Sequence, residues 1–293
     1  MRDQASTLRN LIQRQPTPVP PDGRRARVVA FTSGKGGVGK SNLALNAAVA
    51  LAQLGSRVCV LDANWGLSNI DLLCGLNCYW NLSHVLTGAK SLSEVILKGP
   101  EGINVVPGAS GLMDLADSGD RAPRGLDEQL DAIEAAYDFL IVDTGAGLHR
   151  AARQFAAAAD VTFIVTTPEP TAIADAYATL KAWHAKLPNC PEVLVNRAES
   201  VTQAKQILDR IAQTTELFLR CDAPAGCSVA EDCCVPQAVV ARQPFVCLSP
   251  DSAASRDVRQ IAKRLLASSQ PARNETFFGR FACGDRIQAV SPQ

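Results

Sequence analysis

Gly34-Lys35-Gly36-Gly37-Val38-Gly39-Lys40-Ser41 lies between an apolar run, Val28-Val29-Ala30-Phe31, and a helical run, Asn42–Leu54, that stops at Gly55. Strand, glycine-rich turn and helix, in that order, form the context a phosphate-binding loop requires. The glycines let the backbone curl so that its amides point inward, and the helix N-terminus adds positive potential. Within such a loop Lys40 reaches the β- and γ-phosphates, and Ser41 offers its hydroxyl to Mg²⁺. The expected nucleotide-binding set is therefore Gly34, Lys35, Gly36, Gly37, Val38, Gly39, Lys40, Ser41 and Asn42. Lys35 is additional, because the ordinary loop leaves that position free. It either binds the chain's own nucleotide or extends to the phosphates of a neighbour across a dimer interface.

Working outward, the same alternation continues. Val58-Cys59-Val60-Leu61, Ile103-Asn104-Val105-Val106, Phe139-Leu140-Ile141-Val142, Val161-Thr162-Phe163-Ile164-Val165 and Glu192-Val193-Leu194-Val195 read as strands. Most are apolar at nearly every position, as strands covered on both faces must be. With helical segments between them, the pattern predicts an α/β fold, a doubly wound and mostly parallel sheet flanked by helices. Ser91-x-x-Glu94 is a capping box, and Val258, Ile261 and Leu265 form a core-facing stripe. Asp62 and Asp143 each end a strand, at the carboxyl edge where open α/β sheets bind ligands. Carboxylates there can hold the water shell of Mg²⁺, so Ser41, Asp62 and Asp143 are the expected metal set. Thr144-Gly145-Ala146-Gly147 supplies a pliable loop suited to sensing a γ-phosphate, with Gly147 in contact with nucleotide.

Composition narrows the class. The 293 residues carry 29 Lys+Arg against 29 Asp+Glu, a zero balance that argues against a chain built to grip nucleic acid. No apolar run reaches the roughly 18–20 residues of a membrane span. The polar start, Met1-Arg2-Asp3-Gln4, lacks the apolar core of a signal peptide, so a cytoplasmic protein with reduced thiols is expected. The 10 cysteines include Cys221, Cys227, Cys233 and Cys234 in one stretch, but without the paired spacing of structural zinc. Four segments follow. Residues 1–15 form a short helix with Ala5, Leu8 and Ile12 on one face, either awaiting a partner or folding back. Residues 16–23 are a stiff Pro-rich linker, 24–268 the nucleotide-binding domain, and 269–293 a tail. Phe277-Phe278-Gly279-Arg280-Phe281 in that tail either meets a membrane surface or packs onto the body.

Lys35-Gly36-Gly37-x-Gly39-Lys40-Ser41 matches the deviant phosphate-loop signature of the MinD/ParA class of ATPases. Asp62-Ala63-x-x-Gly66-Leu67-x-Asn69-Ile70-Asp71 is similar to the first switch region of that class. Val106-Pro107-Gly108-Ala109, Asp143-Thr144-Gly145-Ala146-Gly147 and Thr167-Pro168-Glu169-Pro170-Thr171 resemble the FlhG (FleN/YlxH) family of flagellar-number regulators more closely. The resemblance covers nearly the whole chain. It implies ATP with Mg²⁺, a homodimer formed with ATP in which Lys35 contacts nucleotide across the interface, and Asn196 at the adenine base. It further implies that Asp3, Gln4, Ala5, Leu8 and Arg9 bind the GTPase FlhF, with flagellar switch-complex proteins as further partners. A peripheral contact of the tail with the inner face of the cytoplasmic membrane also belongs to it. The family's first switch reads Asp-x-Asp, whereas this chain has Asp62-Ala63-Asn64, followed by Trp65. An amide can position water but lacks a carboxylate's basicity, so Lys35 and Asn64 stand as catalytic residues of a slow ATPase. The alternatives are a nucleotide-binding scaffold without turnover, or a partition or iron–sulfur-carrier ATPase.

Overall fold

Eight strands make one sheet: β1 Arg27–Ser33, β2 Val58–Ala63, β3 Leu97–Lys98, β4 Asn104–Val106, β5 Phe139–Ala146, β6 Val161–Thr166, β7 Glu192–Ala198 and β8 Gly226–Ala230. Their spatial order is β3-β4-β2-β5-β1-β6-β7-β8, and every pairing is parallel except β3 with β4. The computed structural model describes residues 25–64, 69–108, 126–220, 224–268 and 275–283. The six strands expected from apolar runs are all present, each shifted at its ends by a few residues. The sequence reading lacks β3 and β8, which carry no apolar run.

The longer helices are α1 Lys40–Gln53, α2 Leu126–Ala136, α3 Arg150–Ala158, α4 Pro170–Trp183, α5 Val201–Leu219, α6 Cys234–Ala241, α7 Ala253–Ala267 and α8 Phe277–Cys283. Side chains alternate across the sheet with period two, which sorts the core into layers. Val29 and Phe31 of β1, with Phe139 and Ile141 of β5, pack against α1 and α7 on one face. Val28, Ala30, Leu140 and Val142 pack on the other face with Leu130, Ile133 and Phe155 of α2 and α3. A third layer joins Ile164, Val193 and Val195 to α4 and α5. Gly55, at φ +92°, follows the end of α1 as the sequence suggests, and Glu94 accepts from the Ser91 amide at 2.9 Å in the expected capping box. Val258, Ile261 and Leu265 are buried.

The tail departs from the membrane-facing reading. Phe277, Phe278 and Phe281 are buried, and the Phe281 ring stacks on Phe155 at 4.5 Å. The Phe277 amide donates to Glu134 Oε2 at 2.7 Å. These aromatics complete the α2/α3 face of the core, so the body extends past the expected boundary at residue 268. Among the described residues no helix is long and apolar enough to cross a membrane. The expected helix 1–15 and linker 16–23 lie outside the described residues.

Candidate functional site

From the centre of the sheet the chain first builds outward to β2, β4 and β3, then returns with β5 beside β1 before adding β6, β7 and β8 on the other side. That reversal opens a crevice at the carboxyl ends of the strands, where such sheets bind ligands. The turn from β1 to α1 fills it. Gly37 and Gly39 hold φ of +81° and +89°, conformations that side chains strain to adopt. Gly39 has a second reason to be glycine, since a Cβ there would stand 2.3 Å from Asn196 Nδ2. The 14-residue α1 points its N-terminus into a cleft of about 550 Å³. Ser33, the loop backbone and Ala146 floor that cleft. Asn64, Asn69, Leu72 and Leu73, with Val239 and Arg242, line the rest of it.

Lys40, Ser41 and Asp143 come together as expected. Lys40 Nζ lies 2.5 Å from Asp143 Oδ1 and 3.5 Å from Ser41 Oγ, with both the lysine and the aspartate buried. Asp143 Oδ2 is buried with no hydrogen-bond partner among the described residues. A buried carboxylate oxygen left unmatched is unfavourable in a closed protein, and it suits the water shell of a hydrated cation. The donor set, an unsatisfied carboxylate oxygen beside a cleft-lining hydroxyl, fits Mg²⁺.

Asp62 sits beside Asp143 in strand register but is used differently. Its Oδ2 accepts from the Asn69 and Ile70 amides at 2.8 and 3.1 Å, and Oδ1 from the Asn64 amide at 3.2 Å. Both oxygens therefore anchor the chain leaving β2, in addition to the metal-bound water expected at this aspartate. Asn64 reaches the cleft wall on that anchored backbone. Trp65, Gly66 and Leu67 lie outside the described residues.

Lys35 turns to its own chain, donating to Glu169 Oε2 at 2.7 Å and to Thr171 Oγ1 at 3.0 Å at the start of α4. This ammonium holds the Glu169 carboxyl below its ordinary pKa. Gly34 lies close under the same helix, where a Cβ would meet the Asp175 carbonyl oxygen at 2.4 Å. Gly147, at φ +94°, donates its amide to the Ser33 carbonyl at 2.7 Å and so ties the end of β5 to that of β1. Asn196, expected at the base, donates its amide to the Val38 carbonyl at 2.8 Å. Arg197, Val239 and Arg242 complete the surroundings and were absent from the expected set. Arg197 could have been suspected from its neighbour, whereas nothing local marks the other two. Asp3, Gln4, Ala5, Leu8 and Arg9 lie outside the described residues.

The cysteines do not assemble. No group of three or more His, Cys, Asp or Glu side chains suited to a metal occurs among the described residues, and Cys221 falls outside them. Burial pushes the Cys227 thiol up to about 12 and raises that of Cys234, which keeps both protonated and poor as ligands.

A model of the AAA domain family AAA_31 matches residues 26–187. The antiactivator FleN of Pseudomonas aeruginosa is 35% identical over 247 residues, covering 84% of this chain and 88% of that protein. The flagellum site-determining protein YlxH of Helicobacter pylori is 38% identical over 184 residues, 62% of each chain. The MinC:MinD cell division protein complex of Aquifex aeolicus contains a chain of the same fold, with TM-score 0.65 and 25% identity over 85% of this chain and 99% of that one. The chain belongs to the MinD/ParA-type P-loop ATPases and, among them, to the FlhG family that includes FleN and YlxH.

Proposed function

We propose that the chain is an ATP-controlled dimerisation switch that governs the number and placement of flagella through the GTPase FlhF, and that it turns over ATP slowly. The observation that carries this reading is the second lysine, Lys35, standing outside the cleft beside a complete phosphate loop. A loop with Lys40 alone would serve a single chain, whereas a lysine on the rim is free to serve a neighbour once Glu169 lets it go. The loop amides and Lys40 would hold the triphosphate, and Ser41 with Asp143 would hold Mg²⁺, which would supply positive charge beside the phosphates. Asn64 orients the attacking water without accepting its proton as a carboxylate would. Asp3, Gln4, Ala5, Leu8 and Arg9 engage FlhF in the cytoplasm, and the ATP state decides which partners the switch presents. The name of YlxH, a flagellum site-determining protein, supports the flagellar assignment.

Crosslinking and co-purification with FlhF, with and without ATP, test the proposal. Capture of FlhF by the full chain, its loss on deleting residues 1–15, and a dimer that requires ATP are the expected results. Nucleotide binding should survive that deletion. An ATP-bound monomer, or FlhF capture unaffected by the deletion, would overturn it. Asn64 also favours a scaffold that never hydrolyses, and the absence of any phosphate release over many hours would select that reading.

A further inference from the structure

Strand β8 ends the sheet on one side, far from the phosphate loop in strand order, and the parity of its hydrogen bonds fixes what it leaves open. The Val193 amide donates to the Ala225 carbonyl at 2.8 Å, and the Glu231 amide donates to the Ala198 carbonyl at 2.9 Å. Along a parallel ladder, alternate residues turn their backbone groups to the same neighbour. With Leu194 opposite Cys227 and Ala198 opposite Ala230, Cys227 and Val229 therefore turn their amides and carbonyls to β7. Gly226, Ser228 and Ala230 turn theirs to the open edge. The Ala230 amide agrees with that sense, since it donates outward to Asp257 Oδ2 of α7 at 2.9 Å. Among the described residues nothing bonds the amides or carbonyls of Gly226 and Ser228.

Unpaired backbone groups on an edge strand are a template for another strand, and extended peptides bind proteins by adding to such edges. Side-chain bonds to the edge are one way to blunt it, but Asp257 does so only at the Ala230 end. A groove of about 460 Å³ runs beside the rest, lined by Cys227, Ser228 and, from α7, Gln260, Ile261, Lys263 and Arg264. Its charges are not balanced. Asp257 is occupied by the Ala230 amide, and Arg264 is committed to Glu192 Oε2, with its guanidinium 5.6 Å from the centre of the Phe163 ring. Lys263 is exposed and has no carboxylate partner among the described residues. A second copy of β8 complements this edge poorly. Gly226-Cys227-Ser228-Val229-Ala230 carries no acidic residue, so a pair of such strands would leave the Lys263 charge unanswered.

We propose that the open edge of β8 docks an extended, acidic segment of a partner protein, which adds as a further strand on Gly226 and Ser228 and sets a carboxylate against Lys263. The backbone bonds supply the attachment, and the side chains at alternate positions supply the selectivity. An NMR titration of the full chain with the synthetic peptide Val-Glu-Val-Glu-Val, blocked at both ends, tests this. The Gly226 and Ser228 amide resonances are expected to move downfield as they gain acceptors. The basic peptide Val-Lys-Val-Lys-Val should bind about fivefold more weakly, and Lys263→Glu should reverse that preference. Ser228→Pro removes an outward amide and spares the bonds to β7, a change that sheet edges tolerate, and it should abolish binding. Because that variant could fold poorly, the acidic peptide N-methylated at every residue is tried on the unaltered chain, where it should fail to bind. Unmoved Gly226 and Ser228 amides, equal affinity for the acidic and basic peptides, or binding that survives N-methylation would overturn the proposal. So would a dimer, formed without ATP, that Ser228→Pro dissociates, since the edge would then belong to a second copy of this chain.

Discussion

The phosphate loop and the chain that follows β2 line the same cleft, yet they are secured by different means. The loop is tied from several directions. Lys40 pairs with Asp143, Gly34 is pressed under α4, and Asn196 and Arg197 hold two of its carbonyls. The chain after β2 hangs on Asp62, whose carboxylate gathers the amides of Asn64, Asn69 and Ile70. Groups proposed to bind phosphate in the ground state thus sit in the heavily braced segment, and Asn64, proposed to act on water, sits in the other. Such a division lets affinity and turnover be tuned separately, because only interactions gained in the transition state change the catalytic constant.

The largest effect expected from this contrast comes from breaking the braced side at its charge pair. Lys40→Met leaves the Asp143 carboxylate buried without its partner and should lower folding stability by about 3–5 kcal/mol, with ATP binding lost. Adding Asp143→Asn removes the stranded charge, so the double variant should recover most of the stability and none of the binding. Urea unfolding and calorimetry measure the two quantities. If the double variant remains as unstable as Lys40→Met, the pair is not what stabilises this wall.

The braced side was also the legible one. Glycine spacing around Lys40 and Ser41, between a strand and a helix, carries its meaning within about ten residues of chain, and the structure places those residues together as read. The sheet was legible wherever a strand is covered on both faces and so must be apolar throughout. Strand β8, Gly226-Cys227-Ser228-Val229-Ala230, lies at an edge with only Val229 buried and leaves no such mark. What local pattern cannot encode is which distant group takes a given side chain. Asn196 meets Val38 from 158 residues away, and Lys35 meets Glu169 from 134. The same holds for Asp62, whose position at a strand end was readable while the three amides that consume its oxygens were not. Phe277, Phe278 and Phe281 suited a membrane or a core equally in sequence, and it took Phe155 and Glu134 to decide.

On the lightly held wall, Asn64→Asp should raise ATP turnover by about 10²-fold, the lower end of what assisted proton transfer supplies. Affinity for ATP should remain within about twofold, because Lys40, Ser41 and Asp143 keep their contacts. Single-turnover kinetics on the native and substituted chains gives the answer. A native chain as fast as the variant would remove Asn64 from water positioning and leave the contrast between the walls without its kinetic consequence.

The smallest effect concerns the rim, where the two lysines of one loop behave differently. Lys40 is buried and faces the cleft, whereas Lys35 is 37% exposed and held by Glu169 and Thr171 of its own chain. To serve a neighbour's phosphates, Lys35 must leave Glu169. That contact therefore competes with dimerisation, and its removal should favour the ATP-bound dimer. An ion pair so open to water is weak, so Glu169→Gln should tighten ATP-dependent dimerisation only about two- to fivefold. Lys35→Ala should act in the opposite direction and abolish the dimer while sparing ATP binding by the single chain. Analytical ultracentrifugation across a concentration series, with and without ATP, reads both changes. Opposite signs are the point of the comparison: if Glu169→Gln and Lys35→Ala both weaken the dimer, the pair acts together at the interface, and the contact within one chain is no restraint on it.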